Sequence, residues 1–452
     1  MAKHETFHYR TLEDLLDTER KLGIDLPMST DTHILAEPIS IGNLTINNRL
    51  GIAPMEGADS LPDGSPSDYT LRRYTNEAIG GSAVIWFEAI SIVEEGRSSK
   101  TQLLLTKENL ENYKSFTAKI KEAGIKANGF APFLIMQANH SGRYSNPDNT
   151  PVPMIAYRHP YLEQYRAADD SCIVSDDYLK SLEDKFGEAA LLAKEAGFDA
   201  IDIKSCHGYL LAELSSAYTR PGMYGGSYEN RTRLLRNGIK AAKVYEDETF
   251  KVTSRLGIYD GYEYPYGFGV SDNGDLKPDL TEPIRLVKEM YHDLGIRFIN
   301  LTMGNPYATT HITRPFDAGK YPPDEHPLEG INRMIKGIKE VKSAVPEMII
   351  YGSAPTYLRQ YADIYTAGAV EQKCCDGMLF GRMAFADPDY ANEIIKDGRI
   401  NPKRVCMTCG KCGDLIRAHK PTGCVIRDAK TFMPFYKEFL EIKKNQPANF
   451  RG

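Results

Sequence analysis

Hydrophobic positions along this chain fall into two alternating textures: short continuous apolar runs, and longer stretches in which apolar residues recur every three or four positions. The continuous runs are RLGIAP (49–54), SAVIWFEAI (82–90), NGFAPFLIMQ (128–137), FDAIDIK (198–204), KVTSRLG (251–257), RFINLT (297–302), MIIYGS (348–353) and GMLFG (377–381), eight in all. A parallel strand covered on both faces reads this way, because neither face can be polar. The amphipathic stretches include DYTLRRYTNEAIG (68–80), KENLENYKSFTAKIKEAG (107–124), DDYLKSLEDKFGEAALLAKEAG (176–197) and TEPIRLVKEMYHDLG (281–295), several closed by a glycine suited to a C-cap. Eight strand–helix units over about 350 residues predict an α/β fold, a (β/α)8 TIM barrel rather than an open doubly wound sheet. No Gly-x-Gly-x-x-Gly follows any strand, so a Rossmann nucleotide domain is not expected. Residues 1–37 read as an N-terminal helical extension, TLEDLLDTERKLG carrying the period before Pro27 ends it. Residues 38–400 form the barrel and 401–452 a cysteine-rich segment and tail. Two long loops, 141–175 and the tyrosine-rich 259–275, follow strand ends on the face where barrels build their sites.

Composition narrows the function classes. Acidic residues outnumber basic ones, 61 to 55, for a net charge of −6; nucleic acids and anionic membranes need a basic face, so neither is an expected partner. No run reaches the roughly 18 apolar residues of a membrane helix, and MAKHETFHYR lacks a signal peptide's apolar core. The expectation is a cytoplasmic protein acting on a small molecule, with a second copy of the chain a further candidate partner. Eight cysteines are too few for a disulfide scaffold, yet four crowd between Cys406 and Cys424.

Candidate chemistry sits at the strand ends. Gly352 and Ser353 after the seventh run, and Gly381 and Arg382 after the eighth, suit a phosphate: glycines let backbone N–H groups approach an anion, and Arg382 adds a charge-assisted bond. Gln137 can donate and accept, which suits the pyrimidine edge of a base or a flavin; His140 and Arg143 lie just beyond it. Arg255 falls mid-strand, and a cation inside a barrel is costly unless something anionic or strongly polar meets it. Lys204, His207 and Tyr209 converge on one loop, as needed to polarise a carbonyl and deliver a proton.

NRLGIAPM (48–55), QANHSGR (137–143), AGFDAIDIKSCHGYLLAELSSAYTRPGMYGGSYENRTR (196–233) and LFGRMAFADP (379–388) together resemble the old yellow enzyme family of FMN-dependent barrel oxidoreductases, over about residues 38–400. The resemblance implies that Ala53, Pro54 and Met55 line the flavin from the first strand and Ala89 from the second. It implies that Gln137 and Arg255 hold the pyrimidine ring, and that Gly352, Ser353, Gly381 and Arg382 hold the phosphate. Tyr209 matches the family's proton donor, while Lys204 and His207 take the place of its substrate-carbonyl pair. Lys204 departs from the usual histidine, which favours a carboxylate, thioester or strongly polarised ketone. Glu56 departs from the usual Thr or Cys beside the flavin carbonyl. The implied reaction is reduction of an activated C=C bond, with NAD(P)H as a possible electron donor.

Cys406, Cys409 and Cys412 follow a C-x2-C-x2-C spacing with Cys424 beyond; thiolates at this density bind an iron–sulfur cluster or a structural zinc. Position directly after the barrel resembles the family's iron–sulfur branch, which includes 2,4-dienoyl-CoA reductase, 2-enoate reductase and trimethylamine dehydrogenase, and so implies a 4Fe-4S cluster. That branch's reductases usually carry one more residue between the second and third cysteine; the amine dehydrogenase has the shorter spacing seen here. An amine dehydrogenase would place a flavin-linking Cys and a Tyr where Glu56 and Lys204 stand, which weakens an amine substrate as the alternative. The other alternative is a non-redox barrel with zinc. The branch's nucleotide-binding domains are not seen after residue 430, so the expectation is a separate electron-transfer flavoprotein or ferredoxin-like partner feeding the cluster, with direct NAD(P)H reduction its competitor. Cys172, Cys206, Cys374 and Cys375 are scattered, and Cys206 reads as a small buried thiol.

Overall fold

The computed structural model describes residues 5–317, 321 and 323–444. A short antiparallel hairpin, β1 (Ile39–Ile41) and β2 (Leu44–Ile46), precedes the barrel. The barrel strands are β3 (Leu50–Ile52), β4 (Val84–Ser91), β5 (Phe133–Asn139), β6 (Ala200–Ile203), β7 (Lys251–Thr253), β8 (Arg255–Gly257), β9 (Phe298–Thr302), β10 (Ile349–Gly352) and β11 (Gly377–Phe380). They run in the order β7-β6-β5-β4-β3-β11-β10-β9-β8, with every neighbouring pair parallel. β7 and β8 are one stave broken at Ser254: β7 pairs with β6, β8 with β9, and Ser254 Oγ donates to Ile203 O at 2.8 Å while its carbonyl accepts from Asn300 N at 3.1 Å. The sheet therefore closes on itself, and the eight apolar runs of the sequence are its eight staves.

Every residue of β4 and β5 is buried, as both-face coverage demands. The hairpin, which periodicity alone did not reveal, plugs the barrel floor with Ile39, Ile41 and Ile46 packed among Val84, Phe133 and Phe298. Outside, the helix Asp176–Glu195 starts at Ser175, whose Oγ accepts from Tyr178 N, and buries Leu179, Leu182, Phe186, Ala190 and Ala193 at helical spacing. The N-terminal helix spans Leu12–Leu22 between a Thr11–Asp14 capping box and Gly23 at φ 65, so it ends before Pro27 does the work. The segment expected as strand from 128 splits differently. The preceding helix runs on to Asn128, Gly129 turns it at φ 80, and pairing starts only after Pro132. No described helix is long and apolar enough to cross a membrane.

One helix buries a carboxyl group. Glu77, on the helix Asp68–Ile79, is 2% exposed with Oε2 unpartnered among the described residues. Burial, then repulsion by Glu88, pushes its carboxyl up to about 8, against the attraction of Arg73. The folded state thus holds a proton that the unfolded chain sheds near its ordinary value, so stability falls as pH rises from about 4.5 through 8. Glu77→Gln removes that loss. The variant is expected to unfold near wild type at about pH 5 and to be about 1–3 kcal/mol more stable at about pH 9, read from paired urea titrations.

Candidate active site

The C-terminal ends of the staves assemble the groups that the sequence singled out. Asp202 on β6 sits at the centre of their support: it accepts from Gln137 Nε2 at 2.7 Å, Trp86 Nε1 at 2.7 Å and the Arg255 backbone N–H at 2.6 Å. Gln137 is thereby turned so that one Nε2 hydrogen is engaged by Asp202 and its Oε1 is left for an N–H donor. Arg255 is 6% exposed, its Nε has no partner among the described residues, and burial pulls its pKa down despite Cys206 and Asp202. A buried guanidinium without a paired carboxylate is a site waiting for a polar or anionic ring. Above it, Ala53 and Ala89 are 7% and 4% exposed, with Pro54 and Met55 half-buried at the β3 exit. A Cβ on Gly381 would sit 3.0 Å from Met55 Sδ, and one on Gly352 2.9 Å from Met378 Sδ, so a side chain at either strand end would have to displace a methionine. Ser353 Oγ accepts from Asn300 Nδ2 at 3.0 Å, and the same amide donates to Tyr351 O and Gly352 O, fixing the β10 exit.

Lys204, His207 and Tyr209 are brought together by a tight turn after β6. His207 (φ 67) and Gly208 (φ 70) are both left-handed. A Cβ on Gly208 would come within 2.1 Å of Asn305 Nδ2, so only glycine lets the turn close against that amide. The Lys204 ammonium lies 3.6 Å from the Tyr209 ring centroid, a cation–π contact. Tyr209 is 7% exposed, and its hydroxyl bonds that of Tyr307 at 2.8 Å. Tyr307 is 38% exposed and stacks on Tyr144, centroids 3.9 Å apart, so the phenol pair leads from the buried turn to solvent. His207 Nε2 lies 3.2 Å from Thr302 Oγ1; burial, then Arg255 and Lys204, hold the imidazole neutral. Burial keeps both phenols protonated, with Tyr307 pushed up to about 12 and Tyr209 well above 10.

Glu56 faces the same space. Its Oε1 is buried without a partner among the described residues; burial, then Glu88, pushes its carboxyl up to about 8, opposed by Lys204. Burial pulls Lys204 down to about 8, resisted by Cys206 and Glu56. The loop carrying Glu56 is anchored behind: Gly57 N–H donates to Glu88 Oε2 at 2.7 Å, and Arg73 bridges Glu88 at 2.6 Å and Asp59 at 2.5 Å. His140 and Arg143, by contrast, serve the scaffold. His140 Nδ1 accepts from Gly142 N and its Nε2 meets Tyr178 Oη at 2.8 Å, while Arg143 is fully buried on Glu213 at 2.5 Å. The tyrosine-rich loop packs on the other long loop, Tyr262 stacking on Tyr161 and Tyr266 on Tyr157.

Cys406, Cys409, Cys412 and Cys424 line one cavity together with Arg382. Left-handed turns at Thr408 (φ 53) and Gly410 (φ 79) wind the C-x2-C-x2-C segment so that its three sulfurs share that cavity. Thr408 N–H donates to Cys406 Sγ at 3.4 Å, Arg427 N–H to Cys424 Sγ at 3.3 Å, and Arg382 Nη1 to Cys412 Sγ at 2.9 Å. No three His, Cys, Asp or Glu side chains among the described residues approach closely enough to hold a single metal ion. Arg382, expected at a phosphate, therefore also touches the cysteine segment. Beside it lies Arg314, unforeseen in the sequence, whose Nη1 is buried without a partner among the described residues; burial, then Arg382, pulls its pKa down to about 9. Thr422 N–H donates to Gly57 O at 2.9 Å and ties the segment to the Glu56 loop.

The sequence profile of the NADH:flavin oxidoreductase / NADH oxidase family matches residues 34–273, more than half of the chain. The chain belongs to that family. As a member of the NADH:flavin oxidoreductase family it is a flavin oxidoreductase. It is 31% identical over 258 residues to the NADPH dehydrogenase of Clostridium acetobutylicum, covering 56% of this chain and 70% of that protein. Two solved structures share the fold: a 2-naphthoyl-CoA reductase complex (TM-score 0.69, 20% identity, 87% of this chain) and an old yellow enzyme homologue from Zymomonas mobilis (TM-score 0.62, 21% identity, 81% of this chain and 94% of that one). The chain spans 57% of the naphthoyl-CoA reductase's length. The residues matched to the family include Ala53, Gln137, Lys204, His207, Tyr209 and Arg255, whereas Gly352, Gly381 and the four cavity cysteines lie beyond them.

Proposed function

We propose that the chain is an FMN-dependent ene-reductase that reduces a carbonyl- or carboxyl-activated C=C bond and carries a 4Fe-4S cluster on Cys406, Cys409, Cys412 and Cys424. The observation that carries this reading is the convergence of Lys204, His207 and Tyr209 on the barrel mouth in which Arg255 lies buried with its Nε unpartnered among the described residues. The residues present fit a flavin: Arg255 and the free Oε1 of Gln137 suit its pyrimidine ring, while Gly352, Ser353, Gly381, Arg382 and Arg314 suit its phosphate. A flavin held by these residues would supply hydride-transfer chemistry at the β-carbon of the substrate. Lys204 and the neutral His207 hold the carbonyl or carboxylate oxygen and stabilise charge as it develops. Tyr209 gives its proton to the α-carbon, and Tyr307, at hydrogen-bond distance, returns one from solvent. The cation of Lys204 over the Tyr209 ring lowers the cost of the transient phenolate.

One feature supports a cluster over zinc. Backbone and guanidinium N–H groups donate to three of the sulfurs, as suits thiolates that carry the charge of a cluster. Electrons enter from NAD(P)H or from a protein partner by way of the cluster. Anaerobic purification followed by a visible spectrum and metal analysis tests the reading: about four iron atoms and one flavin per chain are expected, and a colourless protein with zinc overturns it.

A further inference from the structure

We infer that Lys204 is a nucleophile: its amine forms an imine with the carbonyl carbon of an unsaturated ketone or aldehyde, and Glu56 supplies the proton with which the carbonyl oxygen leaves as water. The inference rests on the ene-reductase reading above and narrows its substrate to carbonyl compounds that condense with an amine. The lysine is the first ground for it. Lys204 is 5% exposed, and its Nζ forms no hydrogen bond or ion pair among the described residues; it lies over the Tyr209 ring, 3.6 Å from the centroid. A lysine buried to hold a charge is normally paired. Burial, reinforced by the charge of Arg255 against the pull of Cys206 and Glu56, brings its pKa down to about 8, so part of the amine is free to attack near neutral pH.

The carboxyl group is the second ground. Glu56 Oε1 is buried and also lacks a partner among the described residues. Lys204 and Glu56 lie within range of each other's charge, and Glu56 within range of Tyr209 and Tyr307, yet lysine and glutamate close no ion pair. Glu56 follows β3 and Lys204 follows β6, with β4 and β5 between them in the wall, so acid and amine come to the mouth from different staves. Backbone bonds fix both loops: Lys204 N–H donates to Ala138 O at 3.3 Å and Gly57 N–H to Glu88 Oε2 at 2.7 Å. An amine and a carboxylic acid that share a pocket without pairing are the two groups that condensation with a carbonyl requires.

The steps balance as follows. The carbonyl held by Lys204 and His207 is attacked at carbon by Lys204 Nζ; a proton from Glu56 takes the oxygen away as water and leaves an unsaturated iminium ion. Hydride addition at the β-carbon, its electron pair drawn from the reduced flavin of the proposed reaction, turns the iminium into a neutral enamine. Tyr209 protonates the α-carbon, and water then releases the saturated ketone and restores the free amine. A carboxylate would not condense, and a thioester would acylate the amine and stop the enzyme, so ketones and aldehydes are the class this pocket takes.

The test incubates the holoprotein with cyclohexanone and cyanoborohydride and maps its peptides by mass spectrometry. A saturated ketone cannot add through a C=C bond, so a gain of the probe's mass less one oxygen atom marks a reduced imine. That adduct is expected on Lys204 ahead of the exposed lysines, and to form roughly 100-fold more slowly in Glu56→Gln. Lys204 left unmodified overturns the imine, and an unchanged rate in Glu56→Gln overturns the part given to Glu56. Turnover of cyclohex-2-enone in oxygen-18 water is the second measurement: the product ketone is expected to carry solvent oxygen, and a product that keeps its original oxygen overturns the imine. Reoxidation of the reduced flavin by the same enone reads the ene-reductase reaction separately. An adduct on Lys204 without flavin reoxidation counts against the ene-reductase reading, whereas reoxidation without an adduct counts against the imine alone.

Discussion

Tyr209→Phe is expected to slow substrate reduction by roughly 100- to 10,000-fold, the usual worth of a positioned general acid, and to leave flavin reduction within about twofold of wild type. The asymmetry follows from where the hydroxyl lies. It is bonded to the Tyr307 hydroxyl at 2.8 Å. Loss of the oxygen removes the proton donor and its link to solvent but leaves the ring, and with it the contact that orients Lys204. Stopped-flow measurement of the two half-reactions separately checks this. Equal slowing of both would mean that Tyr209 shapes the pocket rather than supplying the proton.

Arg255→Met is expected to act in opposite directions on the flavin-free and flavin-loaded protein. Without flavin, the variant loses a guanidinium that burial already disfavours and whose Nε has no partner among the described residues, so it should be about 1–3 kcal/mol more stable to urea. Flavin affinity should fall roughly 100-fold or more, since a buried charged contact is worth about 2–5 kcal/mol. The backbone bond from Arg255 N–H to Asp202 survives the substitution, which keeps β8 in register. Calorimetric titration with FMN and denaturation without it read the two effects. A variant that is destabilised in both states would show that Arg255 is a structural cation after all.

The two effects also show why the barrel tolerates such a residue. Asp202, which braces Gln137, Trp86 and the Arg255 backbone, is buried completely, and burial raises its carboxyl to about 6 against the bonds it accepts. Stability is given up on two buried ionisable groups on neighbouring staves, Asp202 on β6 and Arg255 on β8, which is what a binding site made in advance of its ligand requires.

The eight staves were legible in the amino-acid order because each is buried on both faces and must be apolar throughout, and the placement of Gln137 and Lys204 near strand ends and of Arg255 within a stave followed directly. So did the cysteine spacing. What the order of residues left open was decided by contacts between positions far apart. Tyr307 carries no motif, and it enters the site only because the β9 exit loop folds over a turn 98 residues earlier. Arg314 comes within electrostatic range of Arg382 in the same way, across loops with no period. His140 and Arg143 shared a strand end with Gln137 but were claimed by Tyr178 and Glu213, partners that no local pattern announces. Whether Glu56 faced inward was set by the bond from Gly57 to Glu88 on the next stave. Local sequence thus determined the elements, through burial and backbone period; which polar groups were left unpaired, and so able to meet a ligand, depended on the full three-dimensional balance of donors, acceptors and charge.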